Sequence, residues 1–118
     1  MTRAIAYWAA TGLIAAIALL DAVIYLMASP QAVQAFTHVG YPQQLRVILG
    51  IAKLLGAIAL LAPGRATLKE WAYAGFTFAW ICAFFAHYFA NDGPEALLPL
   101  ALIVILGVSY ATRPPSRR

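Results

Sequence analysis

The chain is 118 residues long, 64% hydrophobic and only 10% charged, with a formal net charge of +4. Soluble domains average about 45–50% apolar and about 25% charged residues, so eight Lys and Arg with four Asp and Glu cannot furnish a polar shell. The basic residues cluster at helix ends and in the tail rather than along one face, which excludes nucleic acid as a partner and favours anionic lipid headgroups.

A membrane-crossing helix requires roughly 20 mainly apolar residues, and four such segments are expected, at about 4–27, 45–62, 68–90 and 96–112. The fold class expected is an all-α membrane protein, a four-transmembrane-helix bundle forming a single domain over 1–118. The first segment follows Arg3 and carries Asp21 near its end, with Tyr25 one turn beyond. Its length, the interruption by Asp21 and the lack of a clean small-x-small site mark it as a retained span rather than a cleaved leader.

Ser29-Pro30 ends this span. In the loop 28–44, Ser29 suits an N-cap, Pro30 the first helical position and Gly40 a left-handed terminus. A short interfacial helix ending near His38 is expected, with Val33 and Phe36 on a lipid-facing side and Tyr41-Pro42 at the membrane surface. Such a helix can cover the outer mouth of the bundle.

The second span holds Lys53, flanked on its face by Gly50, Gly56 and Ala57 at spacings of three and four, where small side chains permit close helix approach or leave room for a ligand. Pro63-Gly64 ends it. On the third span, Thr77, Trp80, Phe84, His87 and Tyr88 recur at helical spacing as one stripe. The single cysteine, Cys82, lies in the same span, which excludes an intramolecular disulfide, a CxxC pair and a thiolate metal cluster. The turn 91–94 (Asn-Asp-Gly-Pro) ends the third span, and Pro114-Pro115 closes the fourth, leaving a basic tail, 113–118.

With alternating helices, Arg3, Arg65, Lys69, Arg113, Arg117 and Arg118 fall on one side and Arg46 alone flanks the other. This bias places both termini in the cytoplasm. Trp8, Trp71 and Tyr88 near span ends have the place of interface anchors.

A charge at mid-bilayer costs about 2.5–3.5 kcal/mol on insertion scales, so intramembrane ionisable residues face the interior and find partners. At about 1.5 Å per residue, Asp21 lies about 9 Å, Lys53 about 13 Å and His87 about 5 Å below the outer surface. Asp21 and Lys53 are thus expected to pair. With Tyr25, Gly50, Gly56, Thr77, Trp80, Phe84, Tyr88 and Asp92, they outline an aromatic-walled chamber with a few convergent polar groups, the usual form of a small-molecule site. The same features have structural readings: a neutralised ion pair between helices, a snorkelling histidine and glycine packing.

The segments 36–42 (FTHVGYP), 48–63 (ILGIAKLLGAIALLAP) and 68–78 (LKEWAYAGFTF), with His87 at the end of the third span and Asp92 after it, resemble the DoxX-like family. The resemblance covers nearly the whole chain. It implies a small four-helix membrane protein, usually bacterial, hence of the cytoplasmic (inner) membrane, and carries Lys53, Glu70, Trp71, Tyr73, His87 and Asp92 over as family-pattern residues. The family takes its name from a subunit associated with a quinone-linked sulfur oxidoreductase. Asp21 and Ala86 depart from the pattern, where relatives tend to have a small or hydroxyl residue and Ser.

Three functions fit. The first is binding of a small lipophilic molecule with acid–base catalysis by Asp21, oriented or assisted by Lys53 and His87. Isomerisation, epoxide opening or cyclisation would suit, since none requires a cofactor or metal. The second is a non-catalytic accessory subunit of a membrane oxidoreductase, and the third is proton-coupled transport by a homo-oligomer. A haem ligated by His87 or His38 is a weaker fourth.

Overall fold

A computed structural model describes residues 2–117; Arg118, counted above among the basic residues, lies outside the described residues. Four long helices, α1 (Thr2–Leu26), α3 (Gln43–Leu61), α4 (Ala66–Phe89) and α5 (Leu97–Ala111), are joined by a short α2 (Pro30–His38) between the first two and a 3-10 turn (Gly93–Ala96) ahead of α5. With that turn counted into the last, all four are long and apolar enough to cross a membrane.

Each long helix packs on two others: α1 on α3 and α5, and α4 on α3 and α5. The cross-section is therefore a ring in the order α1, α3, α4, α5. On α1 the buried positions are Tyr7, Ala10, Thr11, Ile14, Ala15, Ala18 and Ala22, a stripe at spacings of three and four. The alanines keep that stripe shallow, so the helix axes approach closely. The centre is filled by Ile14, Ala18, Leu60, Phe76, Trp80, Leu102 and Leu106, with Phe76 and Trp80 stacked at 5.2 Å. Large apolar side chains also cover the outside, Phe78 being 68% exposed, which suits hydrocarbon as the surrounding solvent.

The turns follow local chemistry. The Ser29 hydroxyl accepts a hydrogen bond from the Ala32 amide at 3.2 Å and Pro30 opens α2, while Gly40 takes φ +81° just beyond the C-cap, a conformation that costs glycine little. One expectation is corrected. Phe36 does not face lipid: it is buried, edge-on to Tyr25 at 5.2 Å, with Tyr41 at 6.4 Å. In a membrane protein an apolar stripe is compatible with lipid or with core, and here α2 turns its phenyl ring down over the C-terminal end of α1.

Basic side chains near the opposite end close helix termini. Lys69, 1% exposed, donates to the carbonyls of Ala62 and Gly64. Arg117 donates to Leu60 O and to the Tyr7 hydroxyl, and Arg3 to Ala111 O. The last carbonyls of a helix lack intrahelical donors and carry partial negative charge, so cations settle there.

Candidate functional site

The α1–α3 contact holds the ion pair. Lys53 Nζ donates to Asp21 Oδ2 at 2.8 Å and lies 4.8 Å from the Tyr25 ring centroid. Asp21 and Tyr25, four apart on α1, project on one side, so a single ammonium meets both the carboxylate and the ring face. Gly50, one turn before Lys53, makes the approach possible: a β-carbon there would lie 2.9 Å from Leu26 Cγ and 3.1 Å from Tyr25 Cβ. Lys53 is buried, whereas the Asp21 side chain keeps 27% of its surface exposed. Arg46 is also buried, donating to the Tyr25 carbonyl and to Gln43 Oε1. It closes the end of α1.

A second polar cluster lies at the end of the bundle that α2 covers. The Asp92 carboxylate, 10% exposed, accepts from His38 Nε2 at 2.5 Å and from His87 Nδ1 at 2.6 Å. These two hydrogen bonds, His87's first, hold Asp92 below the usual carboxylate range. The bond to Asp92 in turn raises the His38 imidazole above its ordinary value. Asp92 thereby ties the end of α2 to the last turn of α4. It sits between two left-handed residues, Asn91 at φ +60° and Gly93 at φ +65°. Donor atoms of His87, Asp92 and Glu95 all lie within 4.8 Å of one another.

Between the two clusters, α3 and α4 flank a cavity of about 530 Å³, walled by Leu45, Leu49 and Lys53 on one side, Phe78, Trp80, Cys82 and His87 on the other, and roofed by Phe36, Val39 and Tyr41, with Tyr25 from α1. A second hollow of about 390 Å³ continues along the same helix pair toward Leu68 and Trp71, sharing Leu49, Lys53, Gly75 and Ala79 with the first. Both are overwhelmingly apolar. Among the described residues, Lys53 is the only Lys, Arg, Asp or Glu on either wall.

Of the side chains expected to meet, Tyr25, Lys53, Trp80 and His87 share the cavity. Asp21 stands behind Lys53 and reaches the cavity through it. Gly50 is a packing position under α1, and Gly56 seats the Phe76 ring, whose Cζ would be 2.7 Å from an added β-carbon, while also lining the lower hollow. The expected stripe on α4 is divided. Thr77 donates to Tyr73 O and lines a cleft toward α5; Phe84 packs on Phe85 and Tyr88; Tyr88 is exposed. At about 100° per residue, Trp80 and His87 lie at one edge of the arc facing α3, and Thr77, Phe84 and Tyr88 at the other. Asp92 belongs to the histidine cluster.

A further polar centre carried no spacing signal in the sequence. Ser109 Oγ is 2.5 Å from Thr11 Oγ1 and 2.7 Å from the Tyr73 hydroxyl, with all three residues buried. Close by, Arg113 Nη1 donates to Glu70 Oε1 at 2.6 Å and the Tyr110 hydroxyl to Glu70 Oε2 at 3.0 Å. This network joins α1, α4 and α5 away from the cavity.

The DoxX-like family model matches residues 9–109, and the chain belongs to that family. Comparison with curated proteins and with solved structures finds no match.

Proposed function

We propose that this DoxX-like, multi-pass membrane protein binds a small lipophilic molecule in the α3–α4 cavity and acts on it by proton transfer centred on Lys53 and Asp21. The observation that carries the reading is a buried ammonium, held by a carboxylate at 2.8 Å, on the wall of an otherwise apolar cavity of about 530 Å³. A low-dielectric wall strengthens any hydrogen bond the ammonium makes. An oxygen on which negative charge develops, such as that of an epoxide or a carbonyl, is the natural partner for Lys53 Nζ–H. Asp21 keeps the ammonium in place, and His87 at the outer rim orients the polar end of the molecule. Isomerisation, epoxide opening and cyclisation all fit, because each needs proton movement without electron transfer.

The polarity of the ends supports a setting in a bacterial inner membrane with both termini cytoplasmic. Lys69, Arg113 and Arg117 gather at the end opposite His38 and Asp92, consistent with the positive-inside bias.

Lipid extracts of cells carrying the wild-type chain or Asp21→Asn test the reading. A lipophilic compound that accumulates in the variant, and has the elemental composition of one that disappears (or differs from it by one water), is expected. Identical profiles in cells holding equal amounts of the two proteins would refute it.

A further inference from the structure

The outer cluster holds more convergent donor atoms than its hydrogen bonds use. We propose that His87, Asp92 and Glu95 form a binding site for a divalent transition-metal cation, with Zn²⁺ the best match to the donor set. Their ligand atoms lie within 4.8 Å of one another. A cation bound at about 2.0–2.2 Å to imidazole nitrogen and carboxylate oxygen spaces its ligands about 3–3.5 Å apart. His87 Nδ1 and Asp92 Oδ2, now 2.6 Å apart, need to separate by less than an ångström to admit it. Glu95, exposed on the 3-10 turn, can swing to meet the ion at little cost.

The chemistry of the set favours a borderline cation. Ca²⁺ takes six to eight oxygen ligands, and Mg²⁺ is bound through carboxylates, waters and phosphates. The imidazole instead suits zinc and its neighbours, and zinc also accepts Asp and Glu oxygens. Two carboxylates and one neutral imidazole also balance a charge of +2. Three protein ligands leave a fourth position open, as zinc sites with a reactive position do.

An independent observation comes from α2. His38 Nε2 bonds Asp92 Oδ1, the oxygen not facing His87. Its imidazole therefore orients the carboxylate from outside, the arrangement that holds metal-ligating carboxylates in place. The four residues come from the end of α2, the last turn of α4, the following turn and the 3-10 helix, so an ion here would fasten the roof of the bundle to the α4–α5 corner. The site stands without the cavity reading, although His87 also lines the cavity.

The test uses the full chain, purified in detergent on a tag free of histidine, stripped of metal and titrated with Zn²⁺ by equilibrium dialysis, with Co²⁺ absorption as a report on geometry. One saturable Zn²⁺ per chain is expected, with a Co²⁺ spectrum of low coordination number. His87→Ala and Glu95→Gln should each weaken binding tenfold or more, and His38→Ala, acting through Asp92, should weaken it by a smaller factor. Glu95→Gln is exposed and isosteric, so it stays informative if His87→Ala misfolds. Uptake by wild type that does not saturate, or that equals uptake by Glu95→Gln, overturns the proposal.

Discussion

Asp21 of α1 and Lys53 of α3 meet at 2.8 Å, yet only Lys53 lines the cavity. The carboxylate holds the ammonium from behind, and the ammonium faces the cavity. Because Lys53 is buried and Asp21 about three-quarters so, removing either one leaves a charge without its counterpart.

That relationship predicts a stability pattern. Lys53→Met or Asp21→Leu alone should destabilise the protein by about 3 kcal/mol or less, the lower side of the range for breaking buried pairs, since Asp21 is partly exposed. The double variant should recover most of the loss, because two apolar groups replace two charges. Thermal unfolding in detergent, read as a double-mutant cycle, measures this. Additive losses would show that the two side chains are not coupled.

The glycines divide into two kinds. Gly50→Ala puts a β-carbon 2.9 Å from Leu26 Cγ and 3.1 Å from Tyr25 Cβ, and should cost about 1–3 kcal/mol as overpacking. Gly12→Ala meets nothing within 4 Å and should be neutral or slightly stabilising. Unfolding midpoints of the two variants, measured side by side, check the contrast.

In the buried hydroxyl network, Ser109 is the shared partner. Ser109→Ala leaves the Thr11 and Tyr73 hydroxyls without the bonds of 2.5 and 2.7 Å, at a cost of about 1–3 kcal/mol for each unsatisfied buried group. Tyr73→Phe leaves the Thr11–Ser109 bond intact and should cost less. A reversed order in unfolding experiments would contradict the assignment.

The proposed orientation is open to labelling. In a Cys82→Ala background, Thr2→Cys and Ser116→Cys should react with an impermeant maleimide only after the cytoplasmic face is exposed, and Gln34→Cys only from the outside. Labelling of all three from one side would refute the inverted placement of α2 and the tail.

Much of this was legible in the residues because burial is costly. Asp21 and Lys53 had to find a partner, and helical rise put them at one depth. Ser29-Pro30 and Gly40 declared the ends of α2 through capping chemistry. The direction of Phe36 was not legible, since lipid and core are equally apolar. The stripe from Thr77 to Tyr88 hid a division because an arc of about 100° spans two neighbours on α4. Thr11 and Ser109 gave no sign, because a helical hydroxyl usually bonds back to its own backbone, as Thr77 does to Tyr73 O. Arg46, read as a flanking cation, also bonds the Tyr25 carbonyl at the end of α1, which its place in the sequence did not announce.

The central claim, that Lys53 holds a lipophilic molecule in the α3–α4 cavity, is tested most directly by native mass spectrometry of the protein released from gentle detergent. The account predicts a bound small molecule on the wild type that is lost from Lys53→Met and from the Asp21→Leu/Lys53→Met pair, the latter restored in stability. Retention of the same adduct by the double variant, or its absence from wild type taken directly from native membranes, would contradict it.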